Sequence, residues 1–235
     1  MQYRSVTVLA PAKLNLSLDV VGTLPNGYHD LDMVMQTIDL YEKITLRRSH
    51  DLTLNLPGSF VPANDKNTAV KAALAFFAYT GLLAGVDMTI YKRVPVRAGM
   101  AGGSADAAGV LVGLNELYGA KLSMSELCAI GAGIGADVPF ALMGGTCRVR
   151  GVGDLMKALP PCPDCWFVVA IPPPKPLPAM TQWAALSPLT ARHRSRPSAT
   201  TTCPASARRP AMRSSIAPVR TKRPPSAKRC GRRGP

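Results

Sequence analysis

The chain has 235 residues, of which 47% are hydrophobic and 6% aromatic, a composition typical of a globular protein with one sizeable core or two small ones. Its apolar runs stay short of the roughly 20 residues that a membrane-spanning helix needs, and its first residues lack the layout of a secretion signal. We therefore expect a cytoplasmic protein with no membrane partner.

The formal net charge of +14 is unevenly distributed along the chain. Residues 191–235 hold 13 of the 28 Lys and Arg residues and none of the 14 Asp and Glu residues, so the first 190 residues carry only +1. The basic character therefore belongs to the last 45 residues and indicates nothing about the partners of the rest.

Short apolar or alternating runs in the first half of the chain predict strands. We predict two strands at 3–9 and 14–21, separated by Pro11, and then a turn built on Asn26 and Gly27. The stretches "MVMQTIDL", "EKITLRR" and "DLTLNL" predict three more strands. The Ala-rich "NTAVKAALAFFAYTGLLAG" has helical spacing, and Gly81 or Gly85 is expected to end that helix.

The second half alternates between strands and helices. "GVDMTIYKRVPV" predicts a strand that leads into a glycine-rich loop, and "SADAAGVLVGLNELYG" predicts a helix capped by Ser104 and closed by Gly119. "SMSELCAIGAGIG" predicts a second helix, in which Ser123 and Glu126 form a capping box. "TCRVRG" and "WFVVAIPPP" are typical of strands. This order predicts an α+β fold with a mixed sheet and helices on one side, and not a regular doubly wound sheet.

The glycine-rich loop "PVRAGMAGGSADAA" stands between a predicted strand and a predicted helix. It has neither the Gly-Lys-Ser/Thr ending of a Walker A loop nor the glycine spacing of a dinucleotide-binding loop. It could be a plain turn before a helix, or a cradle in which backbone N–H groups and a helix N-terminus hold phosphate. Ser104 could cap the helix, turn its hydroxyl to phosphate or Mg²⁺, or do both.

Two charged residues stand in apolar surroundings. Lys13 lies within an apolar strand, where it either extends its ammonium group to solvent or pairs with an acidic group or a phosphate. Asp137, in "GIGADVPFAL", is either a helix N-cap or a buried carboxylate. A buried Lys13 and a buried Asp137 would offset each other's desolvation, and such a pair beside a phosphate cradle is typical of phosphoryl transfer.

The six cysteines do not form a disulfide or zinc pattern. Cys162 and Cys165 make one C-P-D-C motif, without a second pair or a His cluster at zinc spacing. A redox or metal role stays open, but we expect free thiols and assign no metal-ligating residue.

The motifs "PAKLNL", "PNGYH", "PVRAGMAGGSADAA" and "GADVPF" together resemble those of the galactokinase–homoserine kinase–mevalonate kinase superfamily. Within it, residues 5–175 are similar to the members that phosphorylate the 2-hydroxyl of 4-diphosphocytidyl-2-C-methyl-D-erythritol, in the non-mevalonate route to isoprenoid precursors. The resemblance implies an ATP-dependent kinase that uses Mg²⁺. Another small-molecule kinase of the superfamily, for homoserine or mevalonate, remains the alternative.

The resemblance also implies roles for individual residues. Lys13 and Asp137 fall on the catalytic positions, and Asp137 would accept the proton of the substrate hydroxyl. Tyr28 would stack on the cytosine ring, His29 would read its polar edge, and Asn15 would lie near the substrate hydroxyl. The ATP site would consist of Asn67 and Lys92 near the adenosine, and of the loop residues Pro95, Val96, Arg97, Ala98, Gly99, Met100, Ala101, Gly102, Gly103, Ser104 and Ala105 around the phosphates.

The chain departs from this family beyond about residue 175. We predict a kinase N-terminal domain at 1–162, the start of an incomplete ferredoxin-like domain at 163–190, and a disordered basic tail, translated out of frame, at 191–235. The family's last glycine-rich motif is missing, so we expect weak or no activity from the chain as it stands. The alternative is a genuine tail that binds polyanions such as RNA, but no aromatic residues interleave its cations, and we expect no specific nucleic-acid partner.

Overall fold

A computed structural model of the protein describes residues 5–25 and 27–171. Six strands and four helices occur there, which confirms the predicted α+β class. The strands are β1 Ser5–Thr23, β2 His29–Ser49, β3 Leu52–Asn55, β4 Gly85–Tyr91, β5 Thr146–Gly151 and β6 Leu155–Ala158; the helices are α1 Thr68–Thr80, α2 Gly102–Tyr118, α3 Met124–Ala132 and α4 Val138–Met143. Among these, no helix has the length and apolar character that crossing a membrane requires.

The six strands form one mixed sheet around β2. β1 pairs antiparallel with β2 from its first residue to its last. The other edge of β2 is shared, because β5 pairs with residues 31–36 and β4 with residues 43–49. β3 lies parallel to β4, and β6 lies antiparallel to β5. The sheet is therefore mixed, as the order of elements predicted.

The first two predicted strands are one strand. β1 runs through Pro11, where the pairing register with β2 shifts between Pro11 and Ala12. Within the described residues β1 pairs with β2 alone, so it is an edge strand. Proline has no N–H to donate, and it is tolerated at an edge or a bulge because no ladder bond is lost there. The prediction of a break at Pro11 was wrong for this reason.

The next two predicted strands are also one strand. "MVMQTIDL" and "EKITLRR" both lie in β2, which is continuous over 21 residues. The change in pattern between them marks the place where the partner on one edge changes from β5 to β4, while β1 pairs along the opposite edge.

The main core lies between the sheet and α2. A Cβ added to Gly109 would overlap Ile44 of β2 and lie 3.1 Å from Ala10 of β1, and one added to Gly113 would overlap Leu46 of β2. These glycines therefore let the helix approach the sheet more closely than any larger residue would allow. The close approach fixes the position of α2, whose first turn follows the glycine-rich loop.

Most of the predicted helix ends are confirmed. Gly81 ends α1 in the left-handed conformation, as predicted, whereas the cap at its start, the side chain of Asn67, was not predicted. Gly119 ends α2 at φ 64°, and Ser123 and Glu126 form the predicted capping box at the start of α3. The short helix α4 begins after Asp137, which agrees in position with the helix N-cap that the sequence left open there.

The prediction that Ser104 caps α2 was wrong. The N-cap is Ala101, at φ 56°, and Ser104 is the third residue of the helix. No side chain caps this end, so the first N–H groups of α2 have no side-chain acceptor at the N-cap.

The strand predicted from "WFVVAIPPP" is absent over residues 166–171, which have no regular secondary structure. Cys162 and Cys165 are free thiols whose Sγ atoms lie 3.8 Å apart. The predictions for most of the second domain and for the basic tail fall on residues 172–235 and lie outside the described residues.

Candidate active site

A cleft of about 510 Å³ opens between the glycine-rich loop, the start of α1 and the middle of β1, where Lys13 lies. This volume is in the range typical of small-molecule sites. Its wall includes most of the residues that the sequence predicted for the site, and these are Lys13, Asn67, Lys92, the whole run from Pro95 to Gly103, and Asp137.

Lys13 and Asp137 meet at one edge of this cleft. The Nζ atom of Lys13 lies 3.7 Å from Oδ2 of Asp137 and donates a hydrogen bond of 3.0 Å to Oδ1 of Asn15. Lys13 is buried as predicted, whereas a third of the Asp137 side chain is exposed, so the prediction of a buried Asp137 was wrong. Burial lowers the pKa of Lys13, and the Asp137 carboxylate partly counteracts that shift.

Asp137 stands at the N-cap position of α4, but its side chain caps nothing. Pro139 follows in the first turn of that helix and has no N–H to offer. The carboxylate therefore remains free to act in the cleft, beside the ammonium group of Lys13.

The glycine-rich loop is held to β1 and takes a strained path. The backbone N–H of Lys13 donates to the carbonyl of Met100 at 3.2 Å. Three loop residues have positive φ, namely Arg97 at 61°, Gly99 at 71° and Ala101 at 56°. Left-handed residues turn successive N–H groups toward one side, which is the geometry of backbone anion sites.

Lys92 lies in a buried ionic cluster beneath the loop. Its Nζ atom is 2.5 Å from Oε1 of Glu42 and 2.6 Å from Oδ2 of Asp106, and all three side chains are at least nine-tenths buried. The second oxygen of Glu42 accepts the backbone N–H of Arg93 at 2.6 Å. Nζ also contacts the carbonyl of Gly102 at 3.4 Å, so the cluster joins both ends of the loop to β2.

Glu42 and Asp106 were not predicted as part of this region. Burial raises the pKa of Asp106 to about 7, even though Lys92 acts in the opposite direction. The sequence carried a usable signal, because Glu42, Ile44 and Leu46 alternate on one face of β2. A carboxylate on that apolar face needs a buried partner, just as Lys13 does on β1.

Asn67 and Thr68 connect α1 to the cleft. The amide group of Asn67 donates to the carbonyl of Pro62 at 2.8 Å and accepts the N–H of Ala69 at 2.9 Å. The hydroxyl of Thr68 donates to the carbonyl of Gly103 at 2.7 Å, which ties α1 to the first turn of α2.

Five predicted site residues do not line this cleft. Asn15 accepts a hydrogen bond from Lys13, which itself lines the cleft. Tyr28 and His29 are exposed residues at the turn between β1 and β2, and Ala105 is buried in α2. Ser104 is half-buried and also lies outside the cleft wall.

The arrangement joins two chemical capacities. A loop with exposed backbone donors and a helix N-terminus can hold a polyphosphate, and a carboxylate paired with an ammonium group can accept a hydroxyl proton while charge develops nearby. Positioning and charge stabilisation of this kind account for most of the catalysis of phosphoryl transfer.

Comparison with known proteins agrees with this geometry. Residues 67–145 match the model of the GHMP kinases N terminal domain. The chain is 47% identical over 166 residues to a 4-diphosphocytidyl-2-C-methyl-D-erythritol kinase of Carboxydothermus hydrogenoformans, covering 71% of this chain and 58% of that protein. It is 44% identical over 184 residues to the kinase of the same name from Geobacter metallireducens, covering 77% and 64%.

Solved structures show the same fold. A crystal structure of 4-(cytidine 5'-diphospho)-2C-methyl-D-erythritol kinase matches with a TM-score of 0.57 and 37% identity, over 65% of this chain and 55% of that one. The mevalonate kinase of Methanococcus jannaschii matches with a TM-score of 0.53 and 14% identity, which shows the fold alone. The chain spans about three-fifths of the length of the curated relatives it matches. Its described residues have the fold of the GHMP kinase N-terminal domain.

Proposed function

We propose that the protein transfers the γ-phosphoryl group of ATP to the 2-hydroxyl of 4-diphosphocytidyl-2-C-methyl-D-erythritol, in the non-mevalonate route to isoprenoid precursors. The observation that carries this proposal is the pair of Lys13 and Asp137, 3.7 Å apart, at the edge of a cleft walled by the glycine-rich loop. We place the reaction in the cytoplasm, where its donor ATP is made and used.

In the proposed reaction, Asp137 accepts the proton of the substrate 2-hydroxyl as its oxygen attacks the γ-phosphorus. The bond between that phosphorus and the β,γ-bridging oxygen breaks, and ADP leaves. Lys13 orients the carboxylate and offsets the negative charge that develops on the transferred group. Its hydrogen bond to Asn15 holds the ammonium group in place, which gives Asn15 a positioning role near the substrate.

The phosphates of ATP would lie along the loop from Pro95 to Gly103, where backbone N–H groups and the start of α2 provide donors. The uncapped end of α2 supports this assignment, because no side chain at the N-cap competes for its first N–H groups. Asn67 would lie by the adenosine. Lys92 would hold the loop in position, since its ammonium group is already paired with the carboxylates of Glu42 and Asp106.

The residues of the cleft also suit Mg²⁺. Within the described residues no three His, Cys, Asp or Glu side chains converge as a metal-binding group. Magnesium in phosphoryl-transfer sites is usually held by one or two carboxylates together with substrate phosphates, and it neutralises charge on the phosphates. Asp106 fits that need, because it lines the cleft and its buried Oδ1 atom has no hydrogen-bond partner among the residues that the structure describes.

Recognition of the cytidine would fall to Tyr28 and His29. Both residues are exposed at the turn that follows β1, the strand that carries Lys13. An exposed aromatic ring beside an imidazole can stack on a base and hydrogen-bond to its edge. The names of the curated relatives support this substrate over homoserine or mevalonate.

The experiment is a comparison of substrates with the purified full chain. ADP release is measured with ATP and each of three acceptors: 4-diphosphocytidyl-2-C-methyl-D-erythritol, homoserine and mevalonate. Release with the first acceptor alone supports the proposal, and release with either of the others alone overturns the assigned substrate. We expect a low rate, so single-turnover conditions with radiolabelled ATP give the required sensitivity.

The matched variant is Asp137→Asn. It keeps the shape of the side chain but removes the proton acceptor, so we expect phosphoryl transfer to fall at least a hundredfold while ATP affinity stays within threefold. Transfer at the native rate would remove Asp137 from the mechanism.

A further inference from the structure

Four cations line the cleft, but two of them are already neutralised by the protein. Lys13 faces Asp137 at 3.7 Å, and Lys92 faces two buried carboxylates at 2.5 and 2.6 Å. The remaining cations are Lys66 and Arg97, which are exposed and form no ion pair with a carboxylate of the described residues. The positive charge that the cleft can offer a ligand therefore resides on these two side chains.

Arg97 occupies a backbone position that suits glycine. Its φ angle of 61° is left-handed, and residues with a Cβ pay a conformational cost there that glycine avoids. The chain uses glycine two residues later, where Gly99 has φ 71°. Such strain is typical of functional sites, where the side chain supplies something that compensates for the backbone.

We infer that the Arg97 side chain binds the polyphosphate of the nucleotide, in addition to the backbone donors of the loop. This inference rests on the proposed ATP site and assigns it a side-chain ligand. A guanidinium group carries a permanent charge and several N–H donors, and it bonds phosphate oxygens through two parallel hydrogen bonds. Lys66, on the opposite wall before α1, supplies a second point charge. A polyphosphate stays anionic after it binds one divalent cation, so the two free cations and the ligand are complementary in charge.

Lys92 is excluded from this role by its surroundings. It carries one positive charge between two carboxylates, so the cluster as a whole offers no positive charge to an anion when both are ionised. Its Nζ atom also lies against the carbonyl of Gly102. The cluster positions the loop, and Arg97 and Lys66 attract the ligand.

The test is calorimetric titration of the full chain with tripolyphosphate, ATP and AMP. Arg97→Gly relieves the backbone strain and removes the charge, and Arg97→Asn removes the charge with a residue that tolerates positive φ. Arg97→Lys keeps a charge. The matched control is Arg93→Gln, which removes an exposed charge four residues away, outside the cleft wall.

We expect Arg97→Gly and Arg97→Asn to bind ATP and tripolyphosphate about tenfold more weakly than the native chain, with AMP affinity within twofold. Arg97→Lys should stay within threefold and Arg93→Gln within twofold. The difference should shrink as salt is raised, because exposed charges are screened. The melting temperature of Arg97→Gly should equal or exceed that of the native chain, by up to about 3 °C.

The inference is overturned if both uncharged variants bind tripolyphosphate within twofold of the native chain, or if Arg93→Gln loses as much affinity as they do. It is also overturned if the native chain does not bind tripolyphosphate. Tripolyphosphate has no base and needs no acceptor substrate, so this result is independent of the kinase reaction. A chain that binds tripolyphosphate through Arg97 but transfers no phosphoryl group would contradict the proposed function alone.

Discussion

Removal of Lys92 is expected to destabilise the protein strongly at neutral pH and weakly at acid pH. One ammonium group serves two carboxylates, and Glu42 is fully buried while the Asp106 side chain is 6% exposed. In Lys92→Met both carboxylates lose their counter-ion in a place that water does not reach. Breaking a buried ion pair by removing one partner costs about 3–5 kcal/mol.

The pH dependence follows from the protons that the folded variant must take up. Burial already raises the pKa of Asp106 to about 7 with Lys92 present, and without that lysine its pKa rises further. The folded variant then binds more protons than the unfolded chain between about pH 4 and the raised pKa of Asp106, so its free energy of unfolding falls as pH rises through that window. Protonating one carboxyl that the native chain keeps ionised costs about 4 kcal/mol at pH 7 but only about 1.4 kcal/mol at pH 5.

The measurement is urea unfolding followed by circular dichroism at pH 7.5 and pH 5. We expect Lys92→Met to lose about 3–5 kcal/mol relative to the native chain at the higher pH and about 1–2 kcal/mol at the lower. Combining it with Glu42→Gln and Asp106→Asn should recover much of the loss at pH 7.5, because no buried charge remains.

Arg148→Met is the surface control for this experiment. Arg148 pairs with Asp32 where about half of the arginine side chain is exposed, so its removal should change little at either pH. An equal loss for Lys92→Met at the two pH values would refute the reasoning, because it would mean that the folded variant takes up no protons in this pH window.

Three further outcomes are expected. Lys13→Met should reduce phosphoryl transfer at least a hundredfold in the single-turnover assay, whereas an unchanged rate would contradict its proposed role. Tyr28→Ala should raise the KM for the cytidyl substrate about tenfold and leave ATP affinity within twofold. If ATP affinity falls as much as the KM rises, stacking of Tyr28 on the cytosine ring is contradicted. Gly109→Ala should lower the free energy of unfolding by about 1–3 kcal/mol, because its Cβ would lie 3.1 Å from Ala10 and would overlap β2. The control is Gly22→Ala, whose Cβ meets nothing within 4 Å and which should have little effect. Equal unfolding curves for the two variants would mean that α2 can move away from the sheet.

Local chemistry made the helix ends predictable. Ser123 and Glu126 act as caps through bonds to backbone within three residues of themselves, and Gly81 and Gly119 adopt the left-handed conformation that glycine favours. None of these depends on the distant parts of the chain. A pattern confined to a few residues is therefore sufficient to predict them.

The failures depended on distant partners. Pro11 does not end a strand, because β1 is an edge strand with a register shift at that residue. Ser104 looked like an N-cap, but the loop reaches α2 through Ala101 in a left-handed conformation that sequence pattern does not reveal. The burial of Asp137 was overestimated because apolar neighbours in sequence do not determine which side of a residue faces a cleft.

The two lysines of the cleft show how geometry separates a reacting pair from a supporting cluster. Both side chains are buried, and residue type alone gives them the same expectation. Lys13 lies 3.7 Å from a carboxylate that is one-third exposed, so a substrate hydroxyl can reach Asp137. Lys92 is 2.5 and 2.6 Å from carboxylates that solvent scarcely reaches, and it donates a further hydrogen bond to the carbonyl of Gly102, so a reacting atom has no place beside it. From this difference in access we propose that the chemistry takes place at Asp137 and that Glu42 and Asp106 support the loop.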